Sequence, residues 1–170
     1  SLIASGHLVT HSHRGWLTPR NWFVEAVGTT PPFRMDRFYR KVRTSTGWLM
    51  ANGQPVGGKY SFDEENRKPW KGEPAAPSVP VFESDEIDSE VEEIVNRVFH
   101  DHPGSIDFSQ IPTTRHDVGR MLDFARRCLM HFGTYEDAMS TDSRGLFHTR
   151  LASLLNLHRV MPRTAIELAL

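Results

Sequence analysis

The chain has 170 residues, 20 basic and 21 acidic, for a formal net charge of −1. The length suits one domain, and the balance is not that of a histone-like or strongly DNA-steered protein. A lone cysteine, Cys128, excludes an internal disulfide and any all-cysteine metal site within the chain.

No apolar run approaches the roughly 18 residues of a membrane helix, and no charged stretch leads into an apolar one as in a secretory signal. The expectation is a reducing, cytoplasmic setting with no membrane partner. Hydrophobic residues are 38% of the chain, and eleven prolines and twelve glycines cluster rather than spread. Such clustering implies at least one long irregular segment. The charge is uneven: residues 1–80 carry +5, 81–110 carry −8 and 111–170 carry +2. An acidic spacer thus separates two mildly basic segments. The chain begins at Ser1 and stops inside the apolar helical pattern Thr164 to Leu170, which reads as a piece of a longer protein.

In chain order, residues 1–15 are polar with no clear period, and poor order is expected there. Thr18-Pro19 signals a helix start, with threonine as N-cap and proline at N1. Trp22, Phe23, Ala26 and Val27 give that helix an apolar stripe, and Gly28 ends it. After Pro31-Pro32, residues 33–46 read as a helix with Met35, Phe38, Tyr39 and Val42 on one side. Asn52-Gly53 is a turn signal, as is the stretch Pro55 to Gly58. Lys59 to Pro80 has no sustained period and holds Pro69, Pro74, Pro77 and Pro80, so an extended linker lying over a surface is expected. Ser84 or Asp85 caps a helix over 86–100, with Ile87, Val91, Ile94, Val95 and Val98 along one face and its acidic residues at the positive end of the dipole. Thr113 or Thr114 caps the strongest helix, 115–132. There Val118, Met121, Leu122, Ala125, Cys128, Leu129 and Phe132 share a face, and Gly133 is the expected C-cap. A helix over 145–157 and a last one starting with Pro162 at N1 complete a mainly α chain, with five or six helices and no convincing amphipathic strand.

Several side chains invite a chemical reading. Arg37, Arg40, Lys41 and Arg43 form either a solvated helix face or a contact for nucleic-acid phosphates. His7, His11 and His13 have spacings a metal uses, but in a glycine-containing terminus they read first as solvated. Cys128 lies on an apolar face, which points to burial rather than reactivity. Residues 57–68 mix aromatics with charges, as a docking segment does, with Asn66 and Arg67 as candidate ligand contacts.

Three blocks carry a resemblance: Met35 to Arg43 followed by Gly47-Trp-Leu-Met50; Pro55 to Lys68; and Phe132 to Met139 with Leu146 to Asn156. Together they resemble the deoxyribodipyrimidine photolyase-related proteins, iron–sulfur flavoproteins of the photolyase–cryptochrome superfamily. The resemblance implies that residues 17–58 end an antenna-domain region, that 59–83 form an interdomain linker, and that 84–170 begin an incomplete helical FAD domain, with 1–16 poorly ordered. It implies FAD, an iron–sulfur cluster and an antenna chromophore in the parent protein, the last two outside this piece. It implies damaged DNA as partner and a lyase that repairs it by light-driven electron transfer from reduced FAD. The alternatives are a cryptochrome-type photoreceptor, or a piece with a structural role and no activity alone. Photolyases place a tyrosine before a stretch that wraps the flavin phosphates and ribityl chain. Tyr135 stands in the first position, and His148, Thr149, Arg150, Leu151, Ala152 and Ser153 stand in the second. Ala152 replaces the motif serine and Ser153 its proline, so Ala152 offers only backbone. No catalytic residue and no metal ligand is implied here.

Overall fold

The computed structural model describes residues 2–10 and 13–170. Among them the chain is mainly α, with six α-helices and one two-stranded ladder. It divides into two compact units. The first runs to Phe62 and includes Val160–Leu168 and Leu170; the second comprises Asp63–Arg159 and Ala169.

In the first unit, α1 (Arg20–Val27) begins one residue later than the Thr18-Pro19 signal implies. Pro19 is the N-cap, in an extended conformation, and no side chain caps the helix. Gly28, at φ 82°, ends it as expected and donates its N–H to the Val24 carbonyl. Helix α2 (Met35–Thr46) starts two residues after the expected Phe33 and ends at left-handed Gly47. Phe23 of α1 packs on Phe33 and edge-on against Phe38, with ring centroids 5.8 and 5.3 Å away. A Lys41–Glu25 ion pair of 3.0 Å also joins the two helices.

The Asn52-Gly53 turn is present, and both residues have positive φ. That is the geometry whose twist suits a two-residue hairpin. It joins β1 (Met50–Ala51) to β2 (Gln54–Pro55), antiparallel, with Met50 opposite Pro55. Two residues per strand are too few to leave a period-2 signal, so the sequence shows the turn and hides the strands. At Gly57 a side chain would run into the Phe62 ring.

Arg43 holds this region together. It is 5% exposed and donates to the carbonyls of Trp48 (3.3 Å), Tyr60 (3.1 Å) and Leu49. Its guanidinium also lies over the rings of Tyr39 and Tyr60. Helix α2, the hairpin and the chain beyond it therefore meet on one buried cation.

In the second unit, residues 63–85 are irregular apart from a 3₁₀ turn at Asp63–Glu65. Helix α3 (Glu86–Val98) opens on a capping box between Asp85 and Asp88. Its apolar face exists but is not covered: Ile87 is 68% exposed, Val91, Ile94 and Val98 are also exposed, and the helix residue that is buried is Asp88. Helix α4 (Arg115–Tyr135) opens on a second capping box, Thr114 with Asp117. It buries Val118, Met121, Phe124, Ala125 and Cys128. It also continues through Gly133, where a C-cap was expected, because the two further residues bury Tyr135. A glycine inside a helix costs only about 1 kcal/mol, less than a buried aromatic ring returns.

The helix expected over 145–157 contracts to α5 (Ala152–Asn156). Leu146 and Arg150 have φ of 42° and 57°, which no right-handed helix accommodates. In exchange, Leu146, Phe147, Leu151 and Leu154 are buried. Helix α6 (Pro162–Ala169) begins with proline at N1, as expected.

Two predictions follow from these anchors. Arg43→Ala leaves three carbonyls without their charged donor and should lower stability by about 3 kcal/mol, measured by urea unfolding. At α4, the Thr114 hydroxyl donates to the Asp117 carboxylate at 2.6 Å, and the Thr114 N–H donates to it at 3.1 Å. The Thr114 hydroxyl, with nearby His116 and Arg120, holds Asp117 below its ordinary pKa against the opposing effect of burial. A lowered folded pKa stabilises above the unfolded value of about 3.9 and is lost as pH falls through the folded one. Acid unfolding below about pH 4 should therefore be steeper for the native chain than for Asp117→Asn.

Candidate functional site

The expected ligand-facing segment, His148–Ser153, lies in the second unit, beside the C-terminal end of α4. It is not in the early turns of a long helix, since residues 148–151 are non-helical and α5 is only five residues long. The segment is held instead by ring contacts. Phe147, almost fully buried, stacks on Tyr135 with centroids 5.3 Å apart and an interplanar angle of 29°. His131 meets Phe147 at 5.4 Å, and Phe132 meets His148 edge-on at 5.8 Å. Tyr135 and the 148–153 segment are thus brought together, with Phe147 as the intermediary. Sequence reasoning missed Phe147; the signal was an aromatic residue beside a candidate histidine, within a stretch read as helix.

Within the segment, Leu151 is buried, Thr149 and Arg150 are half-buried, and His148, Ala152 and Ser153 are exposed. The Arg150 guanidinium donates to the Gln110 side-chain oxygen at 3.2 Å. A neutral amide leaves the arginine charge uncompensated there. A Cβ at Gly145 would sit 3.7 Å from the same guanidinium. Gly145 also borders an open cleft of about 410 Å³ lined by Trp70, Pro77, Val79, Asp142 and Arg144.

Tyr135 is itself engaged by the irregular stretch before α3. Its hydroxyl donates to the Glu73 carbonyl at 3.4 Å, and the Lys68 ammonium lies 5.7 Å from its ring centroid. Lys68 N–H donates to the Thr134 carbonyl at 3.3 Å, and Asp137 N–H donates to the Asn66 carbonyl at 3.2 Å. Arg67 pairs with Asp137 at 3.5 Å. The Asn66 amide nitrogen donates to Glu136 at 3.2 Å and to Asp63 at 3.4 Å. Residues 63–74 therefore grip the end of α4 from both main chain and side chains.

The other candidates resolve differently. Of the four basic residues of α2, Lys41 is paired with Glu25 and Arg43 is buried, while Arg37 is exposed and Arg40, also exposed, lies over the Tyr60 ring. His7 bonds the Ser5 hydroxyl at 2.8 Å, and His13 accepts from Gly15 N–H at 3.1 Å; His11 lies outside the described residues. Among the described residues no three metal-binding side chains converge, and no helix is long and apolar enough to cross a membrane. Burial pushes the Cys128 thiol up to about 11, against the opposing charges of Arg127 and Arg150. A thiol so protonated is a packing group at neutral pH.

Comparison with known proteins adds two findings. Residues 4–110 match the family model described as deoxyribodipyrimidine photo-lyase-related protein. A (6-4) photolyase of Agrobacterium fabrum is 39% identical over 138 residues, which covers 81% of this chain and 26% of that protein. The chain thus spans about a quarter of the length of that relative.

Proposed function

The chain belongs to the deoxyribodipyrimidine photo-lyase-related proteins, and we propose that the protein of which it forms part is a light-dependent DNA-repair flavoprotein acting on pyrimidine dimers or six-four lesions. The observation that carries this reading is the 39% identity, sustained over 81% of the chain, to a protein named (6-4) photolyase. The partner in this reading is damaged DNA, and the chain's own contribution is to hold part of the flavin. The chemistry FAD supplies, when bound and reduced, is donation of an electron to the lesion on excitation by light.

The residues present fit one wall of such a site. Pyrophosphate and ribityl groups need donors. The 148–153 segment offers the Thr149 and Ser153 hydroxyls, the imidazole of His148, backbone N–H groups, and a guanidinium whose present partner is neutral. Leu151 anchors the segment inward, and Ala152 contributes backbone alone. Tyr135 serves from behind, stacked on Phe147 next to His148. A ligand this large is normally covered over about 70–90% of its surface, so the remaining walls belong to other parts of the protein. An iron–sulfur cluster does not fit these residues: Cys128, the one thiol, is buried and protonated, and no step is assigned to a cluster here.

Two measurements test the reading. The full-length protein, loaded with reduced flavin and exposed to blue light, should restore an oligonucleotide carrying a six-four or dimer lesion; a loaded protein that leaves both lesions intact would sink the repair assignment. In the same protein, Thr149→Val and Arg150→Ala should each lower flavin occupancy severalfold, the arginine effect shrinking at high salt. Unchanged occupancy in both would mean that this segment does not hold the cofactor.

A further inference from the structure

We propose that Asn66 is a positioning residue that couples the docked linker to the flavin-holding segment, so that seating of residues 63–74 and retention of flavin favour one another. The inference rests on the reading that residues 148–153 hold FAD, and it concerns a residue outside that segment.

Asn66 is 6% exposed, and its side-chain amide touches two carboxylates that are far apart in sequence, Asp63 and Glu136. Only the N–H side of an amide can satisfy two carboxylates at once, which fixes its orientation. Its oxygen is then left buried with no hydrogen-bond partner among the described residues. Burying an unpaired acceptor is costly, so this position is not neutral filler; the two charge-assisted bonds on the other side offset that cost. Because Glu136 directly follows Tyr135, the amide fixes the exit of α4. The Asn66 carbonyl fixes the next residue through Asp137 N–H. From there the contacts run without a gap. Lys68 and the Glu73 carbonyl hold Tyr135, Tyr135 stacks on Phe147, and Phe147 leads directly into His148 and Thr149. Where seating of residues 63–74 raises flavin affinity, linkage requires bound flavin to stabilise the seated segment by the same factor.

Asn66→Asp is the discriminating variant. It sets a third carboxyl against Asp63 and Glu136. An aspartate at this position offers those two carboxylates no N–H donor, so both amide bonds are lost. In the full-length flavoprotein at pH 7.5, flavin release followed by fluorescence should be about tenfold faster than in the unsubstituted protein, with tryptic cleavage after Lys71 rising in parallel. Asn66→Ser, which deletes both amide bonds without adding a charge, should also speed release, and it decides the matter if Asn66→Asp does not fold. Release unaffected by either variant, or accelerated cleavage after Lys71 with unchanged flavin retention, would overturn the coupling. Flavin lost in Thr149→Val and Arg150→Ala but kept in the Asn66 variants overturns the coupling alone. Flavin kept in the former two overturns the assignment of the holding segment, and with it the coupling to that segment, whichever way the Asn66 variants behave.

Discussion

The second unit depends on one buried stripe. Met121, Phe124, Ala125 and Cys128 of α4 are essentially removed from water, and each large side chain so buried contributes about 1.5–3 kcal/mol. Phe82, Leu146, Phe147, Leu151 and Leu154, the buried apolar residues of the unit outside α4, come from segments with little or no regular structure. Such segments cannot specify their own path, because their backbone bonds are not organised locally. Their conformations, including left-handed Leu146 and Arg150, follow from what their side chains must reach. The candidate site is therefore a consequence of how a loop is pulled onto a helix.

The first unit solves a different problem. It has little apolar burial of its own and uses a cation as its centre. Arg43 is surrounded by carbonyl oxygens and ring faces rather than by a carboxylate. A buried ion pair would have fixed one partner; a guanidinium with five donors in a rigid fork fixes several lengths of main chain at once. That is how a two-residue ladder, too short to stand alone, keeps a defined register.

Much of this was legible in the sequence where the physics is local. The Asp85 and Thr114 caps, the Asn52-Gly53 hairpin turn, Pro162 at N1 and the face of α4 from Val118 to Cys128 all depend on neighbours within about four positions. What was not legible depends on distant partners. The helix through Gly133 is set by the burial of Tyr135, and the loss of helix at 145–151 by the burial of Leu146 and Phe147. The apolar spacing of α3 is real, yet spacing does not say whether anything lies opposite. The candidate site divides the same way. Tyr135 and the 148–153 segment came from a resemblance of ordered motifs, and their proximity needed the Tyr135–Phe147 stack. The Asn66–Glu136 contact joins residues 70 positions apart, and no local signal carries it.

The uncovered face of α3 has a consequence for how the chain holds its order. A helix of 13 residues is marginal in water on its own account. With Ile87, Val91, Ile94 and Val98 exposed, α3 gains little from packing, and its order rests mainly on the Asp85–Asp88 box and an acidic first turn. Helix α4, by contrast, cannot open without flooding the stripe that everything else in its unit leans on. The two helices thus belong to opposite ends of a ladder of opening free energies. Within this chain the amides of α3 should therefore exchange from its ends at low opening cost, while those of α4 should stay protected up to the global step.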